Sequence, residues 1–376
     1  MTPPNTEGLL QNSVLPAAGL VLGLMLVEVV LGLVLKRNLY RLPDALSSLG
    51  SSLGQLVVQA MLGFTTLAMY TVLYDHLAVL TWPTGPLGWV LAFFVMELVF
   101  YWRHRAGHEL SVLWTVHEVH HQSSEYNYAV AQRVGYLQWL HTACFIWPLA
   151  ILGLDPLIFS VLFSGIHLYQ FLIHTRLIGR LGPLEWVIMT PAHHRVHHAR
   201  NPRYLDTNYG FTLLIFDQVF GTFQRQVEEP EYGTLTPLHS FSPLDNNIRP
   251  WRTLITRMLH APSPWVALQL PFRHPSWDPV QRRRVLPAKD ETVPPRQLPS
   301  ERVDLMRGIG AVVAVLVATV GTLVLVESIA SWPLGVRLLV GFVLLGLSAV
   351  ATHVVTAPHR VAEPLEPMEA GDGVHS

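Results

Sequence analysis

The fold class predicted is an all-α, multi-pass helical membrane protein with a histidine-rich di-metal site on its cytoplasmic side. Three observations predict it: a series of long apolar segments, a low content of charge, and histidines crowded into one quarter of the chain. Half of the 376 residues are apolar and 14% are charged, with a mean hydropathy of +0.34, which is well above the usual value for a soluble globular chain. Twenty-five Lys and Arg nearly balance twenty-six Asp and Glu. No basic field is left to hold a nucleic-acid backbone, so no nucleic-acid partner is expected. The single cysteine, Cys144, excludes an internal disulfide and suits a reducing membrane face.

A bilayer core needs roughly 20 apolar residues per helix. Segment 15–35 meets this with Glu28 as its only charge; lacking a basic leading region and a small-residue cleavage site, it reads as an anchor and not a removable signal peptide. Segments 53–73 and 87–102 follow, separated by the turn residues Thr81-Trp82-Pro83-Thr84-Gly85-Pro86. Segments 137–153 and 157–173, broken at Asp155-Pro156, read as a helical hairpin. Segments 309–326 and 336–350, joined by Ser331-Trp332-Pro333, close a series of about seven. Placing the N-terminus outside puts Lys36, Arg37, Arg41, Arg103, Arg105, Arg133, the long stretch 174–307 and Arg360 inside. Arg337 alone then lies on the opposite face, as the positive-inside rule requires.

Twelve of the nineteen histidines fall between His104 and His198, where even scatter would place about five. Three sets stand out: His104 and His108, four apart; His117, His120 and His121; and His194, His197 and His198. Spacings of three and four bring imidazoles onto one helix face, so each set points into one volume. Neutral nitrogen donors suit divalent iron, zinc, copper or nickel better than calcium or magnesium. Eight imidazoles exceed what one ion takes and predict two metals with about four nitrogens each. Beside apolar helices, an oxidising metal pair would act on the C–H bonds of a lipid chain. His76, His141, His167 and His353, each alone in an apolar helix, read as hydrogen-bonded core groups. A competing pattern sits inside the second set: His117, Glu118 and His121 also spell H-E-x-x-H, the mark of an intramembrane zinc metalloprotease with Glu118 as base. That alternative leaves the other clustered histidines idle.

The three sets, H-x-x-x-H, H-x-x-H-H and H-x-x-H-H, resemble the signature of the membrane-bound fatty acid hydroxylase and sterol desaturase superfamily, and within it the alkylglycerol monooxygenase branch. The resemblance runs from about Arg41-Leu42-Pro43-Asp44 to Trp251 and is densest in Thr190-Pro191-Ala192-His193-His194-Arg195-Val196-His197-His198. It continues in Asp206-Thr207-Asn208-Tyr209-Gly210, in Asp217-Gln218-Val219-Phe220-Gly221-Thr222-Phe223, in Tyr232-Gly233 and in Thr236-Pro237-Leu238. Five regions are expected: N-terminal transmembrane helices at 1–86 and the catalytic core at 87–260, then, outside the resemblance and read from composition and hydropathy, a Pro/Arg-rich linker at 261–306, a C-terminal transmembrane helix pair at 307–356 and a disordered tail at 357–376.

Carried over position by position, the resemblance implies that His104, His108, His117, His120, His121, His194, His197 and His198 ligate two iron ions, with His174 completing the shell. The catalytic groups are then the metal ligands and no others. His193 is implied as an outer partner, and Glu97, Glu118, Asp206, Asn208 and Asp217 are candidates to orient the free ring nitrogens. Three positions depart from the pattern: Glu97 stands where many relatives have Asp, Arg103 replaces an aromatic, and Ser124 occupies the place of a glutamate associated with pterin use. The implied activity is dioxygen-dependent hydroxylation or desaturation of an aliphatic carbon in a lipid; an ether-linked glycerol, an acyl chain, a sterol and a carotenoid all remain open. No His-Pro-Gly-Gly or G-x-G-x-x-G segment is present, so electrons are expected from a separate partner: ferredoxin, a cytochrome or tetrahydrobiopterin. Arginine outnumbers lysine by twenty-three to two, which points to a GC-rich bacterial genome and an inner-membrane location, with the endoplasmic reticulum as the eukaryotic counterpart.

Overall fold

The computed structural model describes residues 6–63, 66–236, 240–289, 291, 305–329 and 331–356. Its helices are α1 (Thr6–Val34), α2 (Leu42–Leu62), α3 (Thr66–Leu77), α4 (Pro86–Glu109), α5 (Ser111–His121), α6 (Tyr128–Ala131), α7 (Gln138–Ile151), α8 (Pro156–Leu172), α9 (Pro191–His197), α10 (Ile215–Phe220), α11 (Pro243–Leu259), α12 (Pro264–Gln269), α13 (Leu305–Glu327) and α14 (Leu334–Thr356). The only sheet among the described residues is the two-residue antiparallel pair β1 (Trp277–Asp278) and β2 (Arg283–Arg284). The expected tail at 357–376, the linker from 292 to 304 and the Pro237-Leu238 motif lie outside the described residues.

Four helices are long and apolar enough to cross a membrane: Leu42–Leu62, Pro86–Glu109, Met306–Glu327 and Leu334–His353. The chain is a multi-pass, mostly helical membrane protein. Shorter apolar helices at Ala18–Val34 and Pro156–Leu172 accompany them, and α7 has only 14 residues, too few for a bilayer core. The break expected at Asp155-Pro156 is present: Asp155 caps α8 by accepting from the Leu157 and Ile158 amides, and Pro156 follows in the first turn. However, α7 and α8 each pack on α3 and α4 and do not pair along their length as a hairpin.

One boundary differs from the sequence reading. Segment 53–73 is not a single span, because Gly63 adopts a left-handed conformation (φ +77°), donates to the Gln59 and Ala60 carbonyls and ends α2. The helix instead begins at Leu42, and its first half is masked in a hydropathy reading by Ser47, Ser48, Ser51 and Ser52. Three of these serines are buried, and Ser47 accepts from Arg133 and Asn246, so the polar face of α2 docks on the core.

The packing fixes which helix ends lie together. Leu46, near the start of α2, packs with Ala311 of α13 and Ala351 of α14; Met61, at the other end, packs with Leu325 and Leu344. So α2 and α13 run parallel and α14 returns. At the Met61 end the chain turns from α13 into α14, and Arg337 lies beside Gly63. The α3–α4 and α7–α8 turns also meet each other, through Val79 donating to Ile151 and Tyr70 donating to Leu154. At the Leu46 end lie Asp44, Ser123 and Arg133, and with them the histidines. The stretch 264–284, expected as linker, folds onto the core: Val266, Leu270 and Trp277 bury against Leu254, and Arg257 donates to the Pro275 and Trp277 carbonyls.

Candidate metal centre

His104 and His108 ride on the last two turns of α4, and His117, His120 and His121 on the last two of α5. His174 follows α8, while His194, His197 and His198 end α9. Close approach of α4 to α5 needs Gly107, where an added Cβ would sit 3.0 Å from His141 and 3.3 Å from His117.

The nine imidazoles sort into two adjoining sets: His104, His108, His117, His121 and His197 in one, His120, His174, His194 and His198 in the other. Within each set the ring nitrogens lie within 4.8 Å of one another. The sets touch, with the His121 and His198 rings stacked at 4.5 Å. The tripartite motifs therefore do not each fill one volume. His117 and His121 enter the first set and His120 the second, whereas His194 and His198 enter the second and His197 the first. Each motif gives its four-apart pair to one set and its intervening residue to the other, because positions three and four apart lie on opposite flanks of the same helix stripe.

Tautomers follow from the partners. A carbonyl oxygen only accepts, so His104, His120, His174 and His197 are protonated on Nδ1, donating to the carbonyls of Tyr209 (2.9 Å), Arg133 (2.9 Å), Gln170 (2.6 Å) and Thr207 (2.9 Å). Their Nε2 atoms carry lone pairs. Yet Nε2 of His120 and Nε2 of His174 face each other at 3.3 Å, and His174 Nε2 also stands 3.1 Å from His194 Nε2. His194 and His198 approach at 3.2 Å, as do His117 and His121. The His120 and His174 lone pairs, opposed in this way, repel unless a cation lies between them. For metal–nitrogen bonds of about 2.0–2.1 Å, ligand nitrogens stand about 3.0–3.4 Å apart, which is the spacing found. The Nε2 atoms of His108 and His197 and the Nδ1 atom of His194 are buried with no partner among the described residues. Burial, reinforced by the neighbouring rings, holds His117, His121, His194, His197 and His198 well below the ordinary imidazole value. Burial likewise lowers His120 to about 4 and His174 to about 3. These seven rings are neutral nitrogen donors, as a transition metal requires.

The ring-orienting groups are mostly not the carboxylates named from sequence. Only Asp206 faces a ligand ring, with Oδ1 3.6 Å from His108 Nδ1; it also meets His274 at 3.3 Å and pairs with Arg284. Burial raises its carboxyl, but these hydrogen bonds and charges outweigh that and hold it below the usual carboxylate range. Glu97 accepts from the Thr212 and Leu213 amides, and Asp217 from the Tyr209 and Gly210 amides and the Thr222 hydroxyl. They grip the loop that presents the Tyr209 carbonyl to His104 and so act one bond behind the ring. Asn208 ties the His193 and Gln224 backbone, and His193 closes the capping box of α9 with Thr190. Both Asp206 (φ +58°) and Asn208 (φ +59°) are left-handed, a conformation Asp and Asn tolerate. That turn aims the Thr207 and Tyr209 carbonyls at two rings. His141 and His167 lie outside both sets and bond to backbone carbonyls. Sequence reasoning missed the four carbonyls, since a carbonyl has no residue signature; it also missed His274.

The second set is braced from α2. Arg133, whose carbonyl holds His120, is wholly buried and pairs with Asp44 at 3.5 Å, while Ser123 donates to the same carboxylate at 2.6 Å.

Comparison with known proteins gives this arrangement a family. The profile described as Fatty acid hydroxylase matches residues 89–222, a stretch that holds all nine clustered histidines. The chain is 34% identical to an alkylglycerol monooxygenase of Xenopus tropicalis over 265 residues, covering 70% of this chain and 59% of the relative. The human alkylglycerol monooxygenase is 33% identical over 280 residues, covering 74% and 63%. An ornithine lipid hydroxylase, OlsE, of Rhizobium tropici is 33% identical over 135 residues, covering 36% and 41%. The chain thus spans about three fifths of the first two relatives, and no solved structure matches it.

A cavity of about 350 Å3 opens on the five-histidine set, where His108, His121 and His197 line it beside Glu118, Asp206 and Arg249. Its far wall is α11, which lies beyond the profile match. Glu118 therefore faces the cavity and not a ring: burial raises it to about 7, against the nearby Arg249 charge and a Trp114 hydrogen bond.

Proposed function

We propose that the chain is an oxygen-dependent lipid oxidoreductase whose two histidine sets each hold one iron ion and whose reaction hydroxylates or desaturates an aliphatic carbon. The carrying observation is the convergence of the two sets, in which imidazole Nε2 atoms stand 3.1–3.3 Å apart and Nδ1 donation to backbone carbonyls fixes His104 and His197 in one set and His120 and His174 in the other. A pair of ferrous ions in such a cage supplies the reduction of dioxygen and the oxidation of an unactivated C–H bond. Nine imidazoles fit that pair in number and in charge. The chain's own part is to keep the rings unprotonated, to fix their tautomers and to bring a lipid chain past His108, His121 and His197. The similar proteins are named for oxidation of an alkylglycerol and of an ornithine lipid, and both names support a lipid substrate here.

An external donor (ferredoxin, a cytochrome or a pterin) supplies the electrons. The basic residues Lys36, Arg37, Arg41, Arg105 and Arg176 belong to the histidine end of the bundle, which supports a cytoplasmic site in a bacterial inner membrane. The metalloprotease reading gains nothing from the geometry: His117 and His121 share their site with three further imidazoles, more nitrogen than a hydrolytic zinc retains.

The test is metal analysis and turnover in lipid nanodiscs. Two irons per chain, with lipid product that requires dioxygen and reductant, are expected. A purified, folded chain that binds one zinc and gives no oxygen-dependent product overturns the proposal.

A further inference from the structure

Helix α11 has two unlike faces. At 3.6 residues per turn, Leu244, Ile248, Ile255 and Leu259 fall within a stripe about 60° wide. All four are exposed, Ile255 at 52% and Leu259 at 78%. On the opposite side Arg249, Thr253 and Arg257 line the cavity. In α12 and the turn after it, Trp265, Leu268 and Phe272 are also exposed, at 67%, 62% and 69%. Arg252, also exposed, borders the stripe. Seven large apolar side chains in one run exceed the scattered apolar exposure of a water-facing surface.

What covers this stripe is indicated by where the helix starts. Pro243, its first residue, fills a notch at Gly50, where an added Cβ would come within 2.6 Å of both the proline ring and Ser348. Gly50 belongs to the membrane-crossing helix Leu42–Leu62 and Ser348 to Leu334–His353. Asn246 then donates to Ser47 of the same α2. The helix thus lies against α2 between Gly50 and Ser47, about 8–12 Å inside the start of that span, so its first turns are level with surfaces that face lipid. Exposed tryptophan and leucine beside arginine is the composition of an element lying in the plane of a membrane interface.

We infer that α11 and α12 form an interfacial element immersed in the lipid leaflet on the histidine side, whose inner face walls the reaction cavity. Its occupant is the bilayer itself. The inference goes beyond the oxidase reading and stands without metal or turnover.

Site-directed spin labelling of the full chain in phosphatidylcholine–phosphatidylglycerol nanodiscs tests it, on a Cys144→Ser background. Single cysteines replace Ile255, Leu259 and Leu268 in turn, with Gln281→Cys as the exposed reference. Labels at the three stripe positions are expected to collide with dissolved oxygen more than the reference does, and with a water-soluble nickel chelate at least ~3-fold less, as for side chains 5–10 Å below the headgroups. Chelate accessibility equal to that at 281 overturns the inference, as does spin–spin broadening that disappears on dilution with unlabelled protein, which marks a contact between copies. Each substitution is at an exposed position, and α12 gives a reading independent of α11 should one variant misfold. Loss of iron or activity leaves these accessibilities unchanged, so failure of the oxidase reading is separately visible.

Discussion

The two histidine sets are built from the same side chain and the same tautomer logic, yet they differ in access. In the five-membered set, His108, His121 and His197 line the cavity, and Asp206 reaches His108 from the wall. The four-membered set contributes no ring to that cavity. Tyr126 stacks on His174 at 5.5 Å and Tyr232 stacks on Tyr126 behind it, while Arg133 and Asp44 brace His120 from α2. One set lines the cavity; the other lies away from it behind Tyr126 and Tyr232, with His120 partly exposed. The lesson is that the histidine spacing fixes where the rings converge, whereas the contacts behind them decide which set faces the cavity.

The sharpest way to break this comparison is to remove one ligand from each set. His108→Ala and His174→Ala are each expected to lower bound iron from two per chain to about one and to abolish turnover, because the two sets act as a unit. They should differ in binding. His174→Ala leaves the cavity wall intact, so lipid affinity measured by equilibrium titration in nanodiscs stays within about twofold, whereas His108→Ala alters it. Equal loss of lipid binding in both variants would erase the open-against-sealed distinction.

Next in size is the brace of the sealed set. Asp44→Ala leaves the Arg133 guanidinium buried without its counter-charge, and breaking such a pair costs about 3–5 kcal/mol. Chemical denaturation in detergent should show a loss of that size. Metal should leave the sealed set first, since the Arg133 carbonyl orients His120. A drop below about 1 kcal/mol would show that the pair is not holding the core.

Acidification acts on both sets but not equally fast. His120, at about 4, and His174, at about 3, stay neutral in the folded chain, whereas the unfolded chain takes up their protons near pH 6.5. The unfolded state therefore binds more protons between about pH 6.5 and 4, and stability falls as pH drops through that window, by up to about 1.4 kcal/mol per unit for each ring. Thermal midpoints at pH 7.5 and 5 check the sign. Iron release at pH 5 should be biphasic, with the cavity-lining set emptying first; a single phase contradicts the difference in access.

A smaller effect is expected at Asp206, the one carboxylate that faces a ligand ring. Asp206→Asn should weaken metal affinity or activity by about 10–100-fold, the usual consequence of losing an outer partner. The loss should be confined to the open set, with the metal of the sealed set retained in a chelator titration.

Much of this was legible in the sequence, and the limits are physical. The histidine spacings announced two metals, and all eight motif histidines and His174 meet in the two sets. Spacing did not reveal the exchange of His120 and His197 between sets, because three and four residues apart share a stripe on paper and diverge only when a second helix approaches. Glu97 and Asp217 read as ring partners because carboxylates are visible in a sequence; the groups that hold His104, His120, His174 and His197 are carbonyls, which every residue has. The α2 boundary was hidden because serines that dock on the core lower hydropathy just as solvent-exposed ones do. The inner role of α11 escaped because its polar face resembles a surface helix until the cavity behind it is seen.

The smallest expected effect tests the remaining ambiguity of the open set. Glu118 lies between two of its ligands in sequence, within H-E-x-x-H, yet it sits on the cavity wall near Arg249 and Trp114. With a value near 7 it is about half protonated at neutral pH, and glutamine preserves the shape of the protonated form. Glu118→Gln should therefore keep both irons, leave kcat within about twofold at pH 6 and flatten any change in lipid KM between pH 6 and 8. A proton-transferring base in a hydrolytic site would instead lose about 10²–10⁴-fold in rate on the same substitution. A loss of that order with full iron content would move Glu118 from the wall of the cavity into the chemistry, and with it the contrast between a set that receives substrate and a set that only supports it.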